Sequence, residues 1–265
     1  MPYTLARLVS IEEAAAVVQS GQTIGIGGSL MYRRPVAFVR ALLAREDRPR
    51  DLTLLSFTAG YESDLLVGAG CVGHTRTCYF GLEAFGLAPM FTKMANAGEL
   101  EIIEETELSL SLGIRAGLGN VGFMPGRAWL GTDLPLLRPD VTTIIDPYSG
   151  EELMAFPAIH CDVAVIHALV ADPYGNARLN KNLAIDQELA YLADTLIITA
   201  EEIVDKLTED VDIPAPLASL VVPAPRGAWP TSCHPLYPVG GGEILRYMDA
   251  CVADKFEPYL LELLA

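Results

Sequence analysis

Between Thr23 and Leu43 the chain reads TIGIGGSLMYRRPVAFVRALL: a short apolar run, a break at Gly27 and Gly28, then Pro35 heading a helically spaced apolar segment. Proline pre-sets the backbone for a first helical turn, and glycine lets a strand end turn sharply, so the stretch describes a strand–turn–helix unit. The pattern recurs. Leu52 to Phe57 is a strand run followed by Glu62 to Val67, and Thr75 to Phe80 precedes a helix over Met90 to Ala97 that Gly98 ends. Leu100 to Glu104, Val141 to Ile145, Val163 to Leu169, Leu196 to Thr199 and Leu217 to Val222 read as further strands. A helix is expected over Ile185 to Ala193, and one long helix from about Glu243. Ahead of the first unit, Ser10 and Glu13 make a capping box for Ala14 to Val18, closed by Gly21. Alternating strands and helices imply an α/β fold with a mostly parallel sheet and helices on both faces. No linker or internal repeat divides the chain, so residues 1–265 read as one domain, with a proline-rich loop over 213–240.

Leu108, Leu110, Leu112 and Ile114 alternate like a strand, yet Leu108 to Leu112 and Leu112 to Ala116 also fit helical spacing, and periodicity leaves the choice open.

Thirty-four acidic against 18 basic residues give a net charge of −16, which argues against a general nucleic-acid binder, since phosphate contacts depend on Lys and Arg. Hydrophobic residues make up 51% of the chain. That content fits either a large obligate subunit interface or a big core of buried parallel strands. Five cysteines at irregular spacings, with no CxxC pair, indicate neither a disulfide framework nor a structural zinc site, and reduced thiols fit best. The N-terminus lacks the basic start and apolar run of a secretory signal, and no apolar run reaches the ~18 residues of a membrane helix. The expectation is a soluble, cytoplasmic protein that contacts no membrane.

Chemistry concentrates between Glu101 and Gly131, where Glu101, Glu104, Glu105 and Glu107 run into a glycine-rich tract carrying Arg115 and Arg127. Carboxylates serve as bases or nucleophiles, glycines let backbone approach a ligand, and arginines grip anions with a forked donor pair. The turn Gly25-Ile-Gly27-Gly28-Ser29-Leu30 fails the dinucleotide fingerprint at its third glycine and lacks the lysine of a phosphate-binding loop. It remains a strand end at the carboxyl edge, where α/β sheets place their sites. His160 and His167, seven apart on an expected strand, fall on opposite faces, and His74 and His234 have no ligand at zinc spacing, so no metal is assigned. Cys233 and His234 are sequence neighbours without being a catalytic pair. The loop Arg226 to Tyr237 carries aromatics suited to cover a site or a subunit interface.

Taken in order, IGIGGSLMYRRPVAFVRALL, ETELSLSLGIRAGLGNVGFMP, HALVADPYGNA, TLIITAEEIVD and PRGAWPTSCHPLY span nearly the whole chain. Together they resemble the alpha subunit of family I coenzyme A transferases, most closely the alpha subunits of the glutaconate CoA-transferase branch. The resemblance implies a single domain of the NagB/RpiA-like type, with a mixed, mainly parallel sheet and a helix at the ambiguous leucine segment. It also implies acyl-CoA and a small dicarboxylic or unsaturated acid as substrates, and a homologous beta subunit that completes the active site. In such transferases a beta-subunit glutamate in a Ser-Glu-Asn-Gly type of motif attacks the acyl-CoA. No such motif occurs here, and Glu201-Glu202 does not match it. Other relatives are ring-opening CoA-thioester hydrolases that use an alpha-subunit glutamate, or acyl-CoA decarboxylases. That glutamate falls on Glu107, and a matching later arginine on Arg127. Gly27, Gly28, Ser29 and Arg127 are therefore the expected substrate contacts and Glu107 the candidate catalytic residue; a non-catalytic ligand-binding or regulatory subunit is the third reading.

Overall fold

The computed structural model describes residues 6–265. Twelve strands and nine helices follow along the described residues. The first half holds β1 (Arg7–Leu8), α1 (Ile11–Ala15), β2 (Thr23–Ile26), α2 (Val36–Ala44), β3 (Leu52–Ala59), α3 (Tyr61–Gly68), β4 (Val72–Phe80), α4 (Pro89–Ala97), β5 (Glu101–Glu104) and α5 (Glu107–Leu118). Next come β6 (Phe123–Gly126), α6 (Leu134–Leu137), β7 (Thr142–Ile145), β8 (Glu152–Pro157), β9 (Cys161–Ala171) and β10 (Ala177–Arg178). The chain closes with α7 (Asp186–Leu192), β11 (Ala193–Ile203), β12 (Leu220–Pro223), α8 (Gly241–Val252) and α9 (Phe256–Leu264).

The main sheet runs β1-β12-β11-β9-β2-β3-β4-β5, every neighbouring pair parallel, with β10 hairpinned antiparallel on β9. Side chains alternate along each strand and divide the core into two layers. Ile24, Leu54, Val163, Val165 and Ile197 face a cluster with α1 to α4, α8 and α9, whereas Leu55, Ala164, Ile166 and Ile198 face one with α5 and α7. Helices on both faces are thus what the sequence implies. Val36, Phe38, Val39, Leu42 and Leu43 of α2 are almost wholly buried, each contributing roughly 1.5–3 kcal/mol. The Ser10–Glu13 capping box starts α1, and Gly98, at φ +70°, ends α4.

Three features depart from the sequence reading. The strand at Val141 to Ile145 belongs to a separate antiparallel sheet, β6-β8-β7, whose own small core is Trp129, Val141, Met154 and Phe156, with Leu112 of α5 packed on it. Its partners β6 and β8 escape prediction because they are half exposed and carry Pro125 and Pro157, which weaken a strand pattern. The expected long C-terminal helix breaks into α8 and α9 where Asp254 takes φ +56°. The first helix ends at Ala15, short of Val18.

The leucine segment is helical, which settles the spacing ambiguity. Gly113 and Gly117 of α5 lie against Ile159; a Cβ on Gly117 would sit 2.2 Å from the Ile159 carbonyl oxygen. This close approach presses α5 onto the sheet and sets the height of its first turn. Gly117→Ala is therefore expected to lower stability by about 1–3 kcal/mol in urea unfolding. Gly122→Ala, where nothing lies within 4 Å, leaves it unchanged. Equal stabilities for the two variants would refute the close-packing account.

Candidate active site

The sheet changes direction between β2 and β9: the chain winds outward from β2 through β3 and β4 to β5, then returns on the other side through β9, β11 and β12. At such a switch point the loops at the carboxyl ends part and leave a crevice. The turn Gly27-Gly28-Ser29 stands there. Gly28, at φ +83°, has no room for a Cβ, which would meet the Tyr32 and Arg33 carbonyls at 2.6–2.7 Å. All three amides are engaged internally: Gly27 N–H donates to the Val165 carbonyl, Gly28 N–H to Asp186 Oδ1 at 2.8 Å, and Ser29 N–H to the Tyr32 carbonyl. What the turn offers outward is the half-buried Ser29 rather than a nest of free donors.

Two buried ion pairs hold this turn. Arg33 meets Asp186 at 2.9 Å and donates to the His167 carbonyl at 2.7 Å. Arg34 meets Glu62 at 2.6 Å and donates to the Gly28 carbonyl and Ser56 Oγ. Burial by itself would raise the Asp186 carboxyl, but the charge and hydrogen bonds of Arg33 outweigh it and hold the group below the usual carboxylate range.

The acidic segment sorts into two kinds of carboxylate. Glu105 is buried and accepts from Arg76 Nε and Arg138 Nη1, both at 2.9 Å, and from Ser109 Oγ. Thr106 caps α5 by accepting from the Ser109 amide, and it also accepts from Trp129 Nε1 at 3.0 Å. Arg138 lies 5.8 Å from the Trp129 ring centroid and is anchored by Asp140. Glu107, the first residue of α5, projects into solvent, and its side chain has no hydrogen-bond or ionic partner among the described residues. Cys78 of β4 reports its proximity: burial first, then the charges of Glu105 and Glu107, push its thiol up to about 12. Arg127 follows β6, is exposed, and pairs with Glu151. Trp129, two residues on, ties that loop to the α5 cap beside Glu107. The glycine turn and Glu107 share one sheet edge but lie three strand spacings apart, about 14 Å.

A second constellation carries no local signal in the sequence. His160 precedes β9 and is exposed, so it shares no strand with His167, which is wholly buried within β9. The parallel register sets His167 beside Thr199 of β11, and Glu201 follows two residues later. His167 Nδ1 lies 2.8 Å from Thr199 Oγ1 and Nε2 2.9 Å from Glu201 Oε1. Glu201 also accepts from the Tyr237 hydroxyl and the Arg226 amide. Burial holds the imidazole below the usual histidine range, against the pull of Glu201. Burial would raise the Glu201 carboxyl, but hydrogen bonds from His167 and Tyr237 keep it below its usual range. An ionised Glu201 only accepts, so the neutral ring carries its proton on Nε2 and accepts from the Thr199 hydroxyl on Nδ1. Cys233 completes a triplet whose ligand atoms lie within 4.8 Å of one another, a spacing open to a metal ion. The His167 and Glu201 atoms are already committed to hydrogen bonds within the chain. The two residues stand 34 positions apart, so no local spacing reveals them.

A family model described as coenzyme A transferase matches residues 8–223. The chain belongs to the coenzyme A transferase family. Among curated members, it is 32% identical over 88% of its length to one subunit of the 3-oxoadipate CoA-transferase of Pseudomonas knackmussii, covering 84% of that protein. It is 33% identical over 83% of its length to the cholesterol ring-cleaving hydrolase IpdA subunit of Rhodococcus jostii, covering 78%. It spans only 55% of the length of an uncharacterised Archaeoglobus fulgidus relative, at 33% identity. Of solved structures, the decarboxylase AibA/AibB superposes with a TM-score of 0.91 at 30% identity over 98% of both chains. The glutaconate coenzyme A-transferase of Acidaminococcus fermentans gives 0.89 at 27% over 97% of this chain and 88% of that one.

For this family member, Asp186→Ala strands Arg33 in the interior and is expected to cost about 3–5 kcal/mol in urea unfolding. Asp254→Ala, which removes the exposed partner of Lys93, costs less than about 1 kcal/mol. Comparable losses would show that the Arg33 pair does not hold the turn. The His167 prediction concerns pH. Its folded-state pKa lies below the unfolded value of about 6.5, so in that window the unfolded chain binds a proton the folded one refuses. Stability therefore falls as pH drops below about 6.5, by up to about 1.4 kcal/mol per pH unit. Burial raises Asp64 to about 6, which acts oppositely below that pH, so the effect is read as a difference between proteins. Between pH 5 and 6.5 the stability of the parent minus that of His167→Gln should fall as the pH falls, the variant keeping only the opposing contribution of Asp64; parallel curves would refute the assignment.

Proposed function

We propose that the chain is the alpha subunit of a heteromeric acyl-CoA:carboxylate CoA-transferase acting on a small dicarboxylic or unsaturated acid, with residues 1–265 forming one domain. A homologous beta subunit supplies the nucleophilic glutamate, which forms the acyl-glutamyl anhydride and then the glutamyl-CoA thioester. Coenzyme A enters as the acyl-CoA substrate. The observation that carries this reading is the state of the buried carboxylates on the carboxyl edge. Glu62, Asp186 and Glu105 are each bound to arginine, and Glu201 to His167 and Tyr237, so none is free to attack a thioester. With its buried carboxylates committed in this way, on this reading the chain builds a wall and the beta subunit supplies the nucleophile. Relatives named as single subunits of CoA-transferases support the division between two chains. So does the apolar outer face of the small sheet, where Phe123, Ile145 and Tyr148 line an open groove. No helix among the described residues is long and apolar enough to cross a membrane, which accords with a cytoplasmic enzyme.

The exposed, unpartnered Glu107 favours a second reading, a CoA-thioester hydrolase or acyl-CoA decarboxylase in which it activates water or polarises a carbonyl, with Arg127 holding a substrate carboxylate. The ring-cleaving hydrolase and decarboxylase relatives are as similar as the transferases. Arg127 would first have to leave Glu151. Glu107→Ala in the assembled enzyme separates the two. As a wall residue it lowers kcat/KM by about tenfold or less, while the loss of a general base costs 10²- to 10⁴-fold. A loss of that larger size with intact assembly would overturn the transferase reading.

A further inference from the structure

The late loop after β12 is stitched to both sides of the switch point. The Ala224 amide donates to the Ala200 carbonyl of β11 at 2.7 Å, the Ser232 amide to the Met31 carbonyl, and the Arg33 amide to the Ser232 carbonyl. This lays residues 224–240 beside the glycine turn, a juxtaposition invisible in sequence. Arg226 sits in this loop at φ +55°, its amide held by Glu201 Oε2 at 2.6 Å. Its guanidinium carbon lies 4.7 Å from the Trp229 ring centroid and 5.1 Å from that of Tyr237. Both rings are fixed: Trp229 packs where a Cβ on Gly240 would come within 2.2 Å, and the Tyr237 hydroxyl joins Glu201 and the Ala228 amide. Arg33, Arg34 and Arg138 on the same edge are consumed by carboxylates, but Arg226 is exposed and has no carboxylate partner among the described residues.

An arginine flanked by aromatic rings keeps its N–H edges free, and its rotamers are already restricted, so less entropy is lost when an anion docks. The planar fork matches carboxylate and phosphate oxygens in pairs. We propose that Arg226, bracketed by Trp229 and Tyr237, is a substrate-binding residue that grips an oxyanion group in the crevice beside Ser29. Within the acyl-CoA reading, on which this inference rests, that oxyanion is a carboxylate of the acid or a phosphate of coenzyme A. The site would be distinct from Arg127, on the other side of the switch point.

The test titrates the 265-residue chain, with any subunit that co-purifies, with coenzyme A, 3′-dephospho-coenzyme A and glutarate. Tryptophan fluorescence and calorimetry give the Kd values. Arg226→Ala is expected to weaken at least one probe by about 10- to 100-fold, the range for a lost charge-assisted contact, with partial recovery in Arg226→Lys and an unfolding midpoint near that of the parent. Weakening of coenzyme A but not its dephospho form assigns the 3′-phosphate, weakening of both coenzymes assigns the pyrophosphate, and weakening of glutarate alone assigns a carboxylate. Probes that bind the parent and Arg226→Ala within threefold of each other overturn the Arg226 site and leave the acyl-CoA reading standing. A parent that binds none of the three overturns both.

Discussion

Arg33 and Arg34 are adjacent in the chain yet reach helices on opposite faces of the sheet, Arg33 to Asp186 at the start of α7 and Arg34 to Glu62 in the first turn of α3. Each carboxylate also sits near a helix N-terminus, where the macrodipole favours negative charge. Removing four charged groups from water is costly, and this arrangement repays it by closing one loop from both layers at once. The Gly28 amide and carbonyl are gripped by the same two pairs. Because the late loop bonds to Met31 and Ser232 meets Arg33, the switch-point crevice inherits its shape from these buried charges.

Along the rest of the edge the same logic separates structural from available charge. Glu105 and Glu107 differ by two positions, and on a strand end leading into a helix they take opposite fates. One is turned inward between Arg76 and Arg138, and the other opens to solvent at the first helical position. The buried member fixes the helix start, with Thr106 and Trp129 sharing the task. The exposed member is thereby aimed by residues that never need to touch a substrate. Relatives named as a transferase, a ring-cleaving hydrolase and a decarboxylase match the chain over most of its length, so one frame is compatible with more than one chemistry.

Much of the frame was legible in the sequence. Strand runs ending at glycine, Pro35 before α2, the Ser10–Glu13 box and Gly98 are local signals, and each is found where its physics places it. The small antiparallel sheet was not legible, because Phe123–Gly126 is half exposed and interrupted by proline, so its stability comes from packing on α5 rather than from its own pattern. Of the acidic run, the sequence showed four carboxylates but not which would be neutralised, since Arg76 and Arg138 approach from β4 and from the loop after α6. The glycine turn was correctly placed at the carboxyl edge, although its amides serve the fold. His167, Glu201 and Tyr237 became neighbours only through the register of β9 and β11 and the course of the late loop.

Glu201 belongs to a central strand and at once secures the amide of Arg226 and the hydroxyl of Tyr237, while Trp229 is seated on Gly240. A loop tethered at so many points has little room to swing as a door. This side of the crevice is built as a quay rather than a gate: whatever moors against it meets one fixed posture, and any opening or closing has to come from the opposite bank.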